Sequence, residues 1–201
     1  MAEADRRKWD ARYRERGARP RAPSGFLNAL DDLLPRQGRA LDVAGGTGRN
    51  ALLLARRGLD VTLADVSGVA LEVARAEVGR AGFMVCTLML DLEAEPLPPG
   101  PWDLILCVDF LWRPLFASIP IALAPGGLLV VAHPTLANLE RHARPGPEHL
   151  LGAGELLDLA RGLEVLRYDE DWQEEGRHEA RLAARRRDAG PGIEPIEGEA
   201  S

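Results

Sequence analysis

The sequence predicts an α/β fold, a doubly wound and mostly parallel sheet with helices on both faces, on three observations. Short apolar runs alternate with helix-prone segments along most of the chain. A glycine cluster follows the first apolar run, and 201 residues suit one domain with a substantial core.

Taken in order, Ala4 to Arg16 is charged and helix-prone, with Trp9 and Tyr13 four apart on one face. Gly17 to Pro23, rich in Arg, Gly and Pro, separates it from a second short helix near Phe26 to Leu34. Residues 1–36 thus form a helical extension, read either as a helix pinned to the surface by its aromatics or as a lid. The domain proper, 37–187, starts with a strand around Leu41 and Val43 and a helix from Arg49 to Arg57. There follow Leu59 to Ala64 (strand), Gly68 to Ala81 (helix), Phe83 to Leu90 (strand), Trp102 to Val108 (strand), Arg113 to Leu123 (helix) and Gly127 to His133 (strand). Beyond a polar loop, Pro134 to Pro147, come a helix over Ala153 to Arg161 and strand-like runs at Leu163 to Tyr168 and Glu179 to Ala184, joined by a long acidic connection. Residues 188–201 carry Gly, Pro and Glu with little to bury and read as a disordered tail.

Bulk properties exclude several classes. A net charge of −6 argues against broad nucleic-acid binding, which needs a surplus of positive charge on one face. No apolar stretch reaches transmembrane length, and the charged start lacks a secretory core, so a cytoplasmic protein is expected. Cys86 and Cys107 lie in apolar runs and read as buried free thiols, and no metal-ligand constellation is visible.

The chemistry concentrates in Ala40-Leu41-Asp42-Val43-Ala44-Gly45-Gly46-Thr47-Gly48-Arg49-Asn50. Glycines there let the backbone turn tightly and approach a ligand, and Asp65, ending the next strand, is placed to bind a ribose diol. Gly46 to Ala51 also satisfies the dinucleotide fingerprint G-x-G-x-x-G/A, so an NAD(P)-dependent oxidoreductase is one alternative. Asp42 weighs against it. A carboxylate under the ligand repels a pyrophosphate and attracts an ammonium group, and S-adenosylmethionine has the second and lacks the first. Lys8 is the single lysine, so no Tyr-x-x-x-Lys catalytic pair exists.

This segment resembles motif I of class I S-adenosylmethionine-dependent methyltransferases, D-x-G-x-G-x-G, with Ala44 in place of the first glycine. The resemblance continues in Ala64-Asp65-Val66-Ser67, in Met89-Leu90-Asp91-Leu92, in Trp102 to Val108 with Asp109 and Phe110 at its exit, and in Leu123-Ala124-Pro125-Gly126-Gly127. It implies a Rossmann-like seven-stranded sheet whose last strand inserts antiparallel, with S-adenosyl-L-methionine as cofactor. It also implies that Asp42, Ala44, Gly45, Gly46, Gly48, Asn50, Asp65, Val66, Asp91, Leu92 and Asp109 bind the cofactor, with Asp42, Gly46 and Gly48 at the methionine end and Asp109 near it, Asp65 at the ribose and Asp91 at the adenine. Trp9, Asp10 and Tyr13, with the run Phe110 to Phe116, look closest to small bacterial methyltransferases of the tellurite-resistance and thiopurine kind.

Methyl transfer is an in-line displacement from an activated donor, so alignment and exclusion of water dominate and acid–base groups are optional. Asp109, Arg113 and His133 are the candidates at the acceptor side, and Trp112, Trp9 and Tyr13 are candidates for substrate or lid contacts. A lone histidine closing a strand is more often a hydrogen-bonded structural residue than a base. The Asp/Asn-Pro-Pro-Tyr/Phe and Pro-Cys signatures of nucleic-acid methylation are absent, so a small-molecule acceptor is expected. A non-catalytic module that senses S-adenosylmethionine is the remaining alternative.

Overall fold

The computed structural model describes residues 2–16 and 22–188. Seven strands form one sheet in the order β3-β2-β1-β4-β5-β7-β6, from β1 (Arg39–Val43), β2 (Asp60–Asp65), β3 (Cys86–Met89), β4 (Trp102–Val108), β5 (Leu123–Pro134), β6 (Glu164–Trp172) and β7 (His178–Arg185). The first five are parallel, and β7 inserts antiparallel to both β5 and β6. This is the predicted architecture, including the antiparallel last strand.

Central strands are apolar on both faces because both faces are covered. On one side Leu104, Leu106, Leu128 and Val130 pack against Leu27, Leu54 and Leu71 from α2 (Gly25–Asn28), α3 (Arg49–Arg56) and α4 (Gly68–Arg80). On the other, Ile105, Cys107, Leu129 and Val131 meet Phe116, Ile119 and Leu156, the last two from α5 (Ile119–Ala122) and α6 (Glu155–Leu159). The helix α1 (Ala2–Arg16) has no apolar face; its half-buried residues are Asp5, Trp9, Asp10 and Tyr13.

Several local expectations differ from the structure for identifiable reasons. The predicted helix from Arg113 to Leu123 breaks into a 3-10 turn, Arg113–Ala117, and the short α5, since Pro114 and Pro120 each remove a backbone donor. The second helix is only α2, and the chain continues through tight turns that still bury Leu30 and Leu34. The acidic connection is instead the end of β6, where Asp169, Glu170 and Asp171 pair through their backbone with β7. Cys86 is exposed on β3 rather than buried, because an edge strand has one neighbour fewer; Cys107 is buried as expected. The predicted tail falls, from residue 189 onward, outside the described residues, as does most of the Gly17–Pro23 segment.

Ala44 turns from β1 into the glycine loop with φ of 51°, a left-handed conformation that costs a residue bearing a Cβ about 1–2 kcal/mol. Ala44→Gly is therefore expected to raise stability by about 0.5–1 kcal/mol, net of glycine's greater freedom in the unfolded chain. A higher urea midpoint at unchanged slope is the measurement; an equal or lower midpoint would show that the Ala44 methyl contributes more by packing than its backbone loses.

Candidate active site

All five parallel strands end on the same side of the sheet, and their exits share its carboxyl edge, where α/β folds bind ligands in a cleft. The loop Ala44 to Gly48 forms its floor, with Gly46 and Gly48 also left-handed, at φ of 57° and 79°. A methyl group at Gly45 would lie 2.6 Å from Asp42 Oδ2, and one at Gly48 2.9 Å from the Ala74 Cβ. The loop is thus a cradle packed so closely onto Asp42 and α4 that only glycine fits at these two positions.

Asp65 holds this cradle in shape. Its Oδ2 accepts from Gly46 N and its Oδ1 from Ser67 N, both at 2.8 Å, so one carboxylate joins the glycine loop to the start of α4. Burial raises its pKa, and these two amide bonds pull the other way. Val66 beside it is half-buried. At the end of β3, Asp91 is half-buried and caps its own turn, accepting from Glu93 N at 3.0 Å.

Asp42 is only 1% exposed and lies beneath Gly45 rather than on the cleft surface. Among the described residues neither of its oxygens receives a well-formed hydrogen bond. Burial pushes its pKa up to about 7; Arg49 opposes the shift and Asp65 adds to it. An orphaned buried carboxylate under a glycine loop is an electrostatic sink for a cation above it.

Two other expected cofactor residues are turned away from the cleft. Asn50 is buried and accepts from Ser24 N at 3.0 Å, which fixes the joint between the segment before α2 and the start of α3. Leu92 packs into the apolar layer beside Trp102, so only its backbone faces outward.

At the exit of β4, Asp109 sits at φ of 62° and forms ion pairs with Arg49 at 3.0 Å and Arg177 at 2.5 Å. Burial opposes its ionisation, but the bond to Arg177 and both guanidinium charges outweigh this and hold its carboxyl below the ordinary range. Asp109 does not cap the helix that follows. Arg113, expected as a grip for an anionic substrate, instead pairs with both oxygens of Glu155, at 2.5 and 3.0 Å, and with the Leu150 carbonyl. His133 donates from Nε2 to the His149 carbonyl at 2.9 Å, and burial lowers its pKa, so it stays neutral at neutral pH. Trp112 is half-buried beside Phe110 and Leu111 at the same exit.

The helix α1 lies over the near rim. Asp10 Oδ1 accepts from Ser67 Oγ at 2.6 Å and from Val69 N at 3.3 Å, at the positive end of α4. Trp9 and Tyr13 stack with centroids 5.9 Å apart, and a methyl group at Gly46 would come within 2.7 Å of Tyr13 Oη. Asp10 as the anchor, and Arg49 and Arg177 as partners of Asp109, were not legible beforehand. Ser67, as a cap preceding an alanine-rich helix, carried a signal of its own.

Residues 40–127 match the family described as a methyltransferase domain. Residues 40–127 thus carry a methyltransferase domain, set in a fold shared with S-adenosylmethionine-dependent methyltransferases. The fold is shared with a protein solved in work on the conversion of a disulfide bond into a thioacetal group during echinomycin biosynthesis, at 22% identity, 93% coverage of both chains and a TM-score of 0.70. A TehB-like methyltransferase from Corynebacterium glutamicum is 22% identical, with 90% of this chain and 98% of that one covered and a TM-score of 0.63. The magnesium protoporphyrin IX methyltransferase of Synechocystis, solved with S-adenosylhomocysteine bound, is 16% identical over 80% of this chain and 78% of that one, with a TM-score of 0.63. No curated protein matches in sequence. The cofactor is S-adenosylmethionine, and the oxidoreductase reading falls. The cradle, the orphaned Asp42 beneath it and the Asp65 carboxylate suit a cationic nucleoside without phosphates.

Proposed function

We propose that this methyltransferase acts on a small acceptor that is nucleophilic without help from the protein: a thiolate or another soft anion. One observation carries the reading: Asp109, Arg113 and His133, at the exits of β4 and β5, are each held by an internal partner or buried out of reach. Asp109 lies between two arginines, Arg113 is bound by Glu155, and His133 gives its Nε2 proton to a carbonyl while its Nδ1, without a partner among the described residues, is buried away from the cleft. Cys107 is pushed up to about 12 by burial, and Tyr168 donates to Glu170. None is poised to take a proton from a hydroxyl or an ammonium.

The cofactor supplies an activated methyl group on a cationic sulfur. Asp42 favours positive charge from beneath the loop, Asp65 and Gly46 hold the ribose side, and Asp91 meets the adenine. Asp109, fixed by Arg49 and Arg177, aligns the methionine end. Phe110, Leu111 and Trp112, with exposed Leu136 and Leu139 on the turn after β5, offer the acceptor an apolar approach and exclude water. The helix α1 serves as the lid over this cleft, while Leu27, Leu30 and Leu34 of the segment that follows pack into the core of the methyltransferase domain. A nucleic-acid acceptor is disfavoured by the net charge of −6. No helix among the described residues is long and apolar enough to cross a membrane, and an exposed unpaired Cys86 suits the reducing cytoplasm.

Turnover on a panel of thiol, metalloid-oxyanion, hydroxyl and amine acceptors tests the reading, with His133→Gln measured alongside. Activity on the thiols or oxyanions, with the variant within about threefold of the parent, is expected. Loss of a base contributes about 10²–10⁴, so a hundredfold fall in a folded His133→Gln, or activity confined to hydroxyl and amine acceptors, would overturn it.

A further inference from the structure

The two edges of the sheet are built differently. The β6 edge carries Glu164, Arg167, Asp169 and Asp171 and a bulge between Val165 and Arg167, the devices that discourage pairing with another chain. The β3 edge, four residues long, carries neither charge nor bulge. Phe83 to Leu90 is free of charge and of proline. Met84 is 90% exposed, Cys86 is exposed, Leu88 is 37% exposed, and the three alternate onto one face of the strand. No helix connects β3 to β4, so this face has no covering layer; residues 90–101 cross to the centre of the sheet, where Leu92 and Leu97 pack instead.

Backbone directions are fixed by one bond. Leu90 N donates to Asp65 O at 3.0 Å, so the groups of Cys86, Leu88 and Leu90 point into the sheet, and those of Val85, Thr87 and Met89 point outward at the edge. An uncharged edge with outward donors and acceptors at alternate residues is complementary to a second copy of itself run antiparallel. The flanks agree in charge. Arg80, paired with Glu77 at 2.7 Å, precedes the strand, and the exposed Glu93 and Glu95 follow it, so an antiparallel arrangement keeps the two acidic ends apart and sets each beside the charge-balanced end of the other copy.

We propose that β3 pairs with β3 of a second copy of this chain, antiparallel about a two-fold axis through Thr87, joining the two sheets into one. Thr87 then exchanges both backbone hydrogen bonds with its counterpart, and Val85 pairs with Met89 across the axis. Cys86 faces Leu88 of the other copy as an unbonded pair, the closer of the two antiparallel pair types, with Cα atoms about 4.5 Å apart. Met84, Cys86 and Leu88 of both copies merge into one covered apolar strip.

Sedimentation velocity of the full chain is expected to show twice the mass of one chain, and Leu88→Lys to return the mass to that of one chain with unchanged circular dichroism and S-adenosylhomocysteine binding. Leu88→Cys adds a test that does not depend on a disruptive change, since mild oxidation should link Cys86 to the new thiol across the axis, and Cys86→Ser in the same chain should abolish the link. A single-chain mass at all concentrations overturns the proposal. A double mass that survives Leu88→Lys without cross-linking overturns it equally, by placing the contact on another face. Capture of a different protein's strand, or monomers whose strip becomes exposed only when residues 189–201 are removed, would assign the edge to another occupant. None of these readouts depends on the acceptor chemistry.

Discussion

Asp65→Ala is expected to reduce S-adenosylhomocysteine affinity by about tenfold to over a hundredfold, measured calorimetrically. The carboxylate has two tasks, and alanine ends both. As the acid at the end of β2 it is assigned to the ribose, where charge-assisted hydrogen bonds contribute about 1.5–3 kcal/mol. It also accepts from Gly46 N and Ser67 N, and those amides lose a buried partner in the variant, so the cradle loosens before any ligand arrives. Asp65→Asn separates the two. Its amide oxygen keeps one acceptor for the loop, but its NH2 then faces the second backbone N–H and the negative charge is gone, so thermal stability and affinity should each be restored only in part. Unchanged affinity in a folded Asp65→Ala would remove Asp65 from the cofactor site.

Asp42→Asn is expected to stabilise the ligand-free protein at pH 8 and to weaken cofactor binding. In the folded state burial raises this carboxyl to about 7, against an ordinary value of 3.8. Between about pH 4 and pH 7 the folded protein therefore holds a proton that the unfolded chain has released. Stability from this group falls as pH rises across that window and levels off above it, a total of about 4 kcal/mol at 1.36 kcal/mol per unit. Asparagine carries no such cost. The variant should melt higher than the parent at pH 8 and close to it at pH 4, while its affinity for the cationic cofactor drops. S-adenosylhomocysteine lacks the sulfonium but keeps the ammonium, so comparing the two ligands shows which charge Asp42 attracts. A variant that melts lower at pH 8, or binds both ligands as the parent does, would contradict this account. A residue that destabilises the empty protein and serves the loaded one is the trade expected at a functional site.

The central sheet was legible in the sequence because its signals are local. Leu104 to Val108 and Leu128 to Ala132 are apolar on both faces, a pattern that only a strand covered on both sides satisfies, and the glycine loop with Asp65 some twenty residues on marks the cleft between two such strands. Asp42, the odd acid in an apolar run, pointed to the cofactor class before any geometry was known. Proline chemistry was equally local, yet the helix from Arg113 was still misjudged, because one early proline is tolerated at a helix start and the second, Pro120, decided the break.

Local signals in the sequence carried the alternation of strands and helices and the glycine loop with Asp42 and Asp65, and through the resemblance they support, the fold and the cofactor. Tertiary structure alone decided which charges meet. Arg177, on the turn between β6 and β7, reaches Asp109 across 68 positions of chain, Arg113 goes to Glu155 instead of to a substrate, and Asp10 of an otherwise charged helix fixes α1 at Ser67. Such pairings leave no periodic trace, since a charged side chain reads the same in sequence whether it faces water, a ligand or another charge. Burial of apolar surface is repetitive along a strand and so is written locally, whereas an ion pair is a single contact between distant elements and exists only once the sheet has brought them together.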